Sequence, residues 1–512
     1  MKNTRIIIGL AGLLMLPLLI ADAFAAPSCE NRNNNTQNKL LECVTVDGVR
    51  AHQAAFQAIA DENNGIRASG TPGYDASVDY VVQRMVAAGY EVTLQPFQFN
   101  AFVQLGPSTL EQTAPGTVTY VENTDYNLMS QTDAGDVTAQ VTAVDLDLGL
   151  GNNSTSGCEA ADFAGFPAGH IALIQRGACA FQLKAENAAA AGAVGAIIFN
   201  QGNAPARFDL INGTLSANYS GGIPVFFSTY DRGVEWDSTP GLELHMIADV
   251  LRGEVTSLNV LAESTAGNDD NVIMVGANLD SIDRGPGIQD NGSGSAAILE
   301  VAEQMAKVKP RNKVRFAWWG AKESGLIGST AYVNGLTPEE QDNIGLYLNF
   351  DRIGSPNYVF FIYDGDDSDG VGAGPGPEGS AQIEHLFESY YLQVGQPFKG
   401  TDFSGRSDYG PFIAVGIPSG GLFTGSEGIK TDEEASLWGG VAGEQYDPCY
   451  HFACDTFDNI SLNALDINSD AVAYAVLQYA MNTEAVNGKN GKGNFKPAPG
   501  NSGEHVESLL TE

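Results

Sequence analysis

The chain has 512 residues, 62 of them acidic against 26 basic, for a formal net charge of −36. That balance argues against a nucleic-acid partner, which needs basic surface. With 43% apolar residues the chain can build sizeable cores, and its length implies more than one domain.

In chain order, Lys2 and Arg5 precede an apolar stretch from Ile6 to Ile20 and an A-x-A site, Ala23-Phe24-Ala25. Residues 1–25 read as a secretory signal peptide. No other stretch approaches the roughly 18 apolar residues that span a bilayer, so no membrane association is expected after its removal. The mature protein is expected to be secreted, extracellular or periplasmic. The six cysteines are Cys29, Cys43, Cys158, Cys179, Cys449 and Cys454. An even count in an exported chain points to disulfides, and no C-x-x-C pair favours a thiolate zinc site.

Val49–Glu62 and Tyr74–Ala88 carry apolar residues at helical spacing, and Tyr90–Phe99 alternates as a strand does. From about 110 to 252 strand-like runs are separated by Gly, Asn and Pro. There Val137–Leu146, Ile171–Gln175, Ala193–Phe199 and Ile223–Phe227 read as strands and Phe181–Ala191 as an Ala-rich helix. No catalytic constellation is visible in this segment, which reads equally as a docking lid or a structural insert. Leu258–Ala262 then returns to strand character.

Next come a buried strand at Val272–Gly276, a Gly-rich loop carrying Asp280, Asp283 and Asp290, and a helix at Ser295–Lys307. Lys313–Trp319 is a strand followed by Lys322-Glu323, and Leu346–Phe350 is a strand followed by Asp351. Thr337-Pro338-Glu339-Glu340 is a helix start. Val359–Tyr363 is a strand, and Asp364–Gly379 reads as a plain acidic loop, its spacing unlike an EF-hand. Ser380–Val394 and Leu462–Met481 are helices; His385 on the first is an ordinary helical histidine. Residues 483–512 are polar and rich in Gly, Asn and Pro, and read as a flexible tail.

Ligands of open α/β sheets bind beyond the carboxyl ends of the strands, where Asp290, Glu323 and Asp351 would meet. Converging buried carboxylates repel, and a divalent cation is one remedy; solvated loop acids are the other reading. Spacing alone leaves the two even.

The motifs GANLDS, GPGIQDNGSGSAA, FAWWGAKESGLIGS, LNFDRIGSPN, GRSDYGPF and CYHFACD resemble, in order, the two-zinc aminopeptidases of metallopeptidase family 28. Residues 110–252 resemble a protease-associated domain. The resemblance implies an α/β fold with a mixed, mainly parallel sheet flanked by helices, carrying an inserted β-rich α/β domain. It divides the chain into a discontinuous catalytic domain, 26–109 and 253–482, around the insert at 110–252. It implies Asp290 as the ligand bridging two zinc ions, Glu323, Asp351 and His451 as further ligands, Tyr450 as the oxyanion donor and Asp280 as the carboxylate behind the ligands. Arg406 is a candidate substrate contact. Proximity and the resemblance favour disulfides Cys29–Cys43, Cys158–Cys179 and Cys449–Cys454.

Three positions depart from the family pattern. Asn278 stands where a histidine ligand is expected, Lys322 where the general base is expected, and Arg352 where an apolar residue is usual. Asp290, Glu323 and His451 are a sufficient ligand set for one zinc, whereas an amide is a poor zinc ligand. A lysine among carboxylates is held as an ammonium and is a poor base. Lys322 is therefore expected in or near the vacated metal position as a substitute cation. The expected function is an exported zinc-aminopeptidase-like protein with hydrolysis lost or strongly reduced, retaining one zinc and binding of peptides or protein N-termini. An active aminopeptidase releasing apolar N-terminal residues, and an interaction protein with a vestigial metal site, are the alternatives. Oligomeric state is left open.

Overall fold

A computed structural model describes Cys29 and residues 32–488. The expected signal peptide, residues 1–25, and residues 489–512 of the expected tail lie outside the described residues. Two eight-stranded sheets organise the chain. The first runs, in spatial order, Glu91–Gln104, Val250–Glu263, Asn312–Trp319, Asn268–Asn278, Ile344–Phe350, Ser419–Phe423, Phe361–Tyr363 and Lys399–Thr401. Its centre is parallel: Asn268–Asn278 pairs in parallel with Asn312–Trp319 and with Ile344–Phe350, and the latter with Ser419–Phe423. Antiparallel pairs lie towards both edges, so the sheet is mixed around a parallel core.

Alternation explains how both faces are filled. Ile273, Val275 and Ala277 point into a core with the helices Val46–Glu62, Pro72–Ala88, Gly292–Met305 and Leu462–Met481. Val272 and Met274 point the other way, towards Trp319, Tyr332, Tyr347 and Phe412. The two central tryptophans keep their indole N–H groups satisfied: Trp318 donates to Ser295 O at 3.1 Å and Trp319 to the Tyr347 hydroxyl at 2.9 Å.

The strand Glu91–Gln104 runs beyond the expected Phe99, because Phe97, Phe99, Ala101 and Val103 continue one buried face. It pairs antiparallel with Val250–Glu263 along its whole length, ending with Gln104 opposite Val250. Leu105 N–H then donates to Asp249 O at 2.8 Å. The chain between thus leaves and re-enters at one hairpin end. It forms the second sheet, whose parallel part is Gly135–Val144, Ile171–Gln175, Gly195–Phe199 and Val225–Ser228. Helices Phe181–Ala190 and Tyr230–Asp237 accompany it.

One expectation needs correction. Residues 483–488 are not loose tail: Glu484–Asn487 is a short helix. Val486 is buried there and Asn487 Nδ2 donates to Asn271 Oδ1 at 2.9 Å, which ties the turn to the sheet.

All three expected disulfides are formed, Cys29–Cys43, Cys158–Cys179 and Cys449–Cys454. No described helix is long and apolar enough to cross a membrane.

Candidate functional site

The parallel strands deliver their chemistry at their carboxyl ends. Asn278 closes one strand, and Asp280 and Asp290 follow in its loop. Lys322 and Glu323 lie just past Trp319, and Asp351 and Arg352 just past Phe350. The loop ends where Asn291 caps the helix Gly292–Met305, its Oδ1 accepting from Gly294 N–H at 3.0 Å. The same oxygen accepts from Arg352 N–H at 2.9 Å, joining the two loops. Gly294 is required at this junction, since a Cβ there would lie 2.1 Å from Phe350 O.

Lys322 stands among the carboxylates. Its ammonium lies 2.7 Å from Glu323 Oε1, 3.4 Å from Asp290 Oδ1 and 3.7 Å from Asp351 Oδ2. Lys322 is only 6% exposed, so it does not reach solvent. Arg352 adds a second buried cation, with Nη2 2.9 Å from Asp351 Oδ2 and Nη1 3.9 Å from Asp290 Oδ2. Burial alone would depress the Lys322 ammonium; attraction to Asp290, Asp351 and Glu323 outweighs that and holds it well above its ordinary range. Burial would likewise raise Asp290, yet Lys322, Arg352 and His451 hold it below the usual carboxylate range. Asp280 has no such cation in contact, and burial, then the charge of Glu323, lifts it to about 8. Its two oxygens accept from the backbone N–H groups of Lys322 and Glu323 at 3.3 and 3.2 Å. Asp280 therefore fixes the turn that carries both side chains.

On the open side His451 Nε2 lies 3.2 Å from Asp290 Oδ2 and 3.1 Å from Glu323 Oε2. Neither Nε2 nor Asp290 Oδ2 makes a well-aligned hydrogen bond among the described residues. Three atoms converging with unspent lone pairs fit a zinc ion: one imidazole and two carboxylates, with an open fourth position. Burial would lower the His451 imidazole, but Asp290 and Glu323 raise it to about 9, so proton and metal compete for the same nitrogen. Asn278 contributes nothing to such a site. Its Oδ1 accepts from Asn291 Nδ2 at 2.9 Å and its Nδ2 donates to Asp280 O at 3.2 Å, so its amide is spent on the scaffold.

Tyr450 stacks on His451 with ring centroids 3.8 Å apart, and its hydroxyl is 3.4 Å from Arg406 Nη2. Arg406 also pairs with Glu427 at 2.5 Å. Arg406 and Glu427 belong to the wall of a cavity of about 310 Å³ that also includes Arg352, Tyr363, Tyr409 and Phe423. Ala321, Arg352 and His451 all have positive φ, 52°, 56° and 61°, a conformation uncommon for side chains with a Cβ and one that gathers at functional sites.

Several supporting residues carry no mark in the sequence reading. Ser407 donates to Asp351 Oδ2 at 2.7 Å. Asp455 accepts from the N–H groups of Gln289 and Asp290 at 2.8 and 3.0 Å. Arg67, fully buried, donates to the carbonyls of Leu279, Pro286 and Gly287 at 2.6, 2.9 and 2.7 Å. Ser407 and Asp455 do lie inside the quoted motifs; Arg67 lies in the loop from Gly65 to Gly73, which resembles the family's loop before its second helix, but nothing there marks its role.

Residues 259–476 match the Peptidase family M28 model and residues 137–236 the PA domain model. An aminopeptidase of Pseudomonas aeruginosa is 56% identical over 448 residues, 87% of this chain and 83% of that protein. The chain belongs to peptidase family M28. A probable lipoprotein aminopeptidase of Mycobacterium tuberculosis is 42% identical over 457 residues, covering 87% of each chain. Among solved structures, the aminopeptidase from Aneurinibacillus sp. strain AM-1 is 26% identical with a TM-score of 0.53, over 91% of this chain and 98% of that one. A zinc aminopeptidase from Bacillus subtilis shares the fold, with a TM-score of 0.55 at 23% identity over 85% of this chain and 95% of that one. The protein is thus an M28 aminopeptidase-like chain with an inserted PA domain.

Proposed function

We propose that this chain is an exported M28 protein that holds one zinc ion on Asp290, Glu323 and His451 and has lost most or all peptide hydrolysis. The observation that carries the reading is the buried Lys322 ammonium, in contact with Glu323 and close to Asp290 and Asp351. Three carboxylates, Asp290, Glu323 and Asp351, face two buried cations, Lys322 and Arg352, which leaves net negative charge for a dication to meet. A zinc ion bound there would polarise a peptide carbonyl.

The chain's own residues then fall short of turnover. A general base supplies about 10²–10⁴-fold in rate. Lys322, held as an ammonium, has no lone pair with which to take a proton from water. Ser407, Arg352 and Lys322 all meet Asp351 at Oδ2, while its buried Oδ1 makes no hydrogen bond among the described residues, so the proposed single zinc is assigned to the atoms that converge on His451. Arg406 lines the cavity and donates to the Tyr450 hydroxyl, and in this reading both can donate hydrogen bonds to a peptide carbonyl. Binding of peptides or protein N-termini is therefore retained in this reading. Residues 26–109 and 253–482 form the aminopeptidase-like part, 110–252 the PA insert, and 1–25 the signal that directs export.

The retained Tyr450 beside His451, together with the relatives named aminopeptidases, favours an active enzyme as the second reading. Zinc content separates the site from a vestige. Wild-type protein reconstituted with zinc should lose one equivalent on His451→Ala, measured by mass spectrometry of bound metal. Equal zinc in both proteins would remove the proposed ion.

A further inference from the structure

A second set of ligand atoms lies away from this site, between the helices Val46–Glu62 and Gly292–Met305. His52 comes from the first helix; Glu300 and Glu303, three residues apart and so on one face, come from the second. His52 is 2% exposed and Glu300 4%. His52 Nε2 lies 3.5 Å from Glu300 Oε2 and 3.8 Å from Glu303 Oε2, and the three ligand atoms are within 4.8 Å of one another.

The separations are informative. A direct imidazole–carboxylate hydrogen bond brings N and O to about 2.7–2.9 Å. Ligands about 2.0–2.2 Å from a tetrahedral ion stand about 3.3–3.6 Å from each other. The 3.5 Å separation from Glu300 Oε2 falls in that range, the 3.8 Å separation from Glu303 Oε2 lies slightly beyond it, and both exceed a closed hydrogen bond. His52 Nε2 has no hydrogen-bond partner although it is buried. Its other nitrogen, Nδ1, is 2.8 Å from the Tyr80 hydroxyl, the kind of contact that orients a ligating imidazole. The carboxylates have partners of their own, and Arg84 reaches the same Glu303 Oε2 that faces His52. Gln304 Nε2 donates to Glu300 Oε1 at 3.1 Å, and Arg84 donates to both oxygens of Glu303 at 2.5 and 2.6 Å. Gly48 makes the space: a Cβ there would lie 2.5 Å from Glu300 Oε1. Glu300 and Glu303 against Arg84 leave one negative charge when His52 is neutral.

We propose that His52, Glu300 and Glu303 form a second, structural site for a zinc-type divalent cation, with solvent at the remaining position on the Glu303 side. The ion would staple the two helices whose other residues hold the loop of Asp290. Gln53, beside His52, donates to Ile288 O at 3.0 Å, and Asn291 caps the second helix directly after Asp290.

The test uses the full mature chain carrying His451→Ala, so that the site described above cannot supply the signal. After zinc loading and dialysis, this variant should retain one zinc per chain, and adding Glu303→Gln should remove it. Glu303 is chosen because it is partly exposed and its amide keeps the same shape; circular dichroism checks folding. X-ray absorption of the His451→Ala protein gives a second readout, expected to show one imidazole nitrogen among oxygen ligands. No zinc in the His451→Ala protein, retention of zinc in the Glu303→Gln double variant, or an all-oxygen shell would each overturn the site. If wild type holds one zinc and His451→Ala none, this site fails while the one at Asp290 stands. One zinc in both proteins means the opposite: this site stands and the one at Asp290 fails.

Discussion

Lys322 decides how the central carboxylates coexist. Removing one partner of a buried ion pair leaves uncompensated charge, at a cost of about 3–5 kcal/mol. Lys322→Met should therefore lower stability by about that much relative to wild type in chelator, with added zinc recovering part of the loss. Denaturant unfolding with and without zinc checks this, and an unchanged midpoint would place Lys322 outside the charge balance. Asp408 gives a second test. It is buried, accepts from the Ser329 hydroxyl at 2.6 Å, and burial raises it to about 7. The folded state then holds this proton more tightly than the unfolded chain, whose aspartates titrate near about 3.9. The resulting stabilisation is fully present below about pH 4 and is lost as the pH rises through about 7. Asp408→Asn should flatten that decline, so wild type loses ground to the variant between about pH 5 and pH 8 in unfolding midpoints. Parallel curves would contradict the assignment.

At the scale of elements, the site depends on clamps that join segments far apart in the chain. Arg67 binds three carbonyls of the loop between Leu279 and Gly287. Hydrogen bonds to a charged group contribute about 1.5–3 kcal/mol each, so Arg67→Met should rank among the most destabilising single changes, at several kcal/mol in thermal or denaturant unfolding. The Cys449–Cys454 bond closes the turn that presents His451 at φ 61°. Replacing both cysteines with serine should weaken zinc binding by about 10–100-fold, as loss of a ligand's support does, measured by competition with a chromogenic chelator. These clamps mark the limit of what can be read from residues alone. The helices Ser380–Val394 and Leu462–Met481 are legible to the residue, because their apolar stripes and flanking breaks are local. Asp290, Glu323 and His451 are legible through their motifs. The loop of Arg67 is legible by its resemblance, but its role is not, because its partners lie more than 200 residues away and an arginine in a loop carries no signal of burial. Residues 483–488 read as tail because their polar composition conceals the burial of Thr483, Val486 and Asn487 and the Asn487 hydrogen bond.

The whole molecule separates chemistry from attachment. The second sheet hangs from the hairpin end at Gln104 and Val250, whose strands pair without it. Replacing residues 105–249 with a two-residue Asn-Gly turn should leave a folded aminopeptidase-like unit that still binds zinc through His451. Aggregation of that protein would show that the insert is part of one cooperative core. At the proposed zinc site, the proposal is that Asn278 and Lys322 stand in place of a ligand and a base. Its most direct test is hydrolysis of a leucyl chromogenic substrate, with zinc, by wild type and by the double variant Asn278→His, Lys322→Glu. Little or no turnover by wild type and gain of turnover by the double variant is the predicted result. Zinc-proportional turnover by wild type, or a folded, zinc-loaded double variant that stays inert, would contradict it.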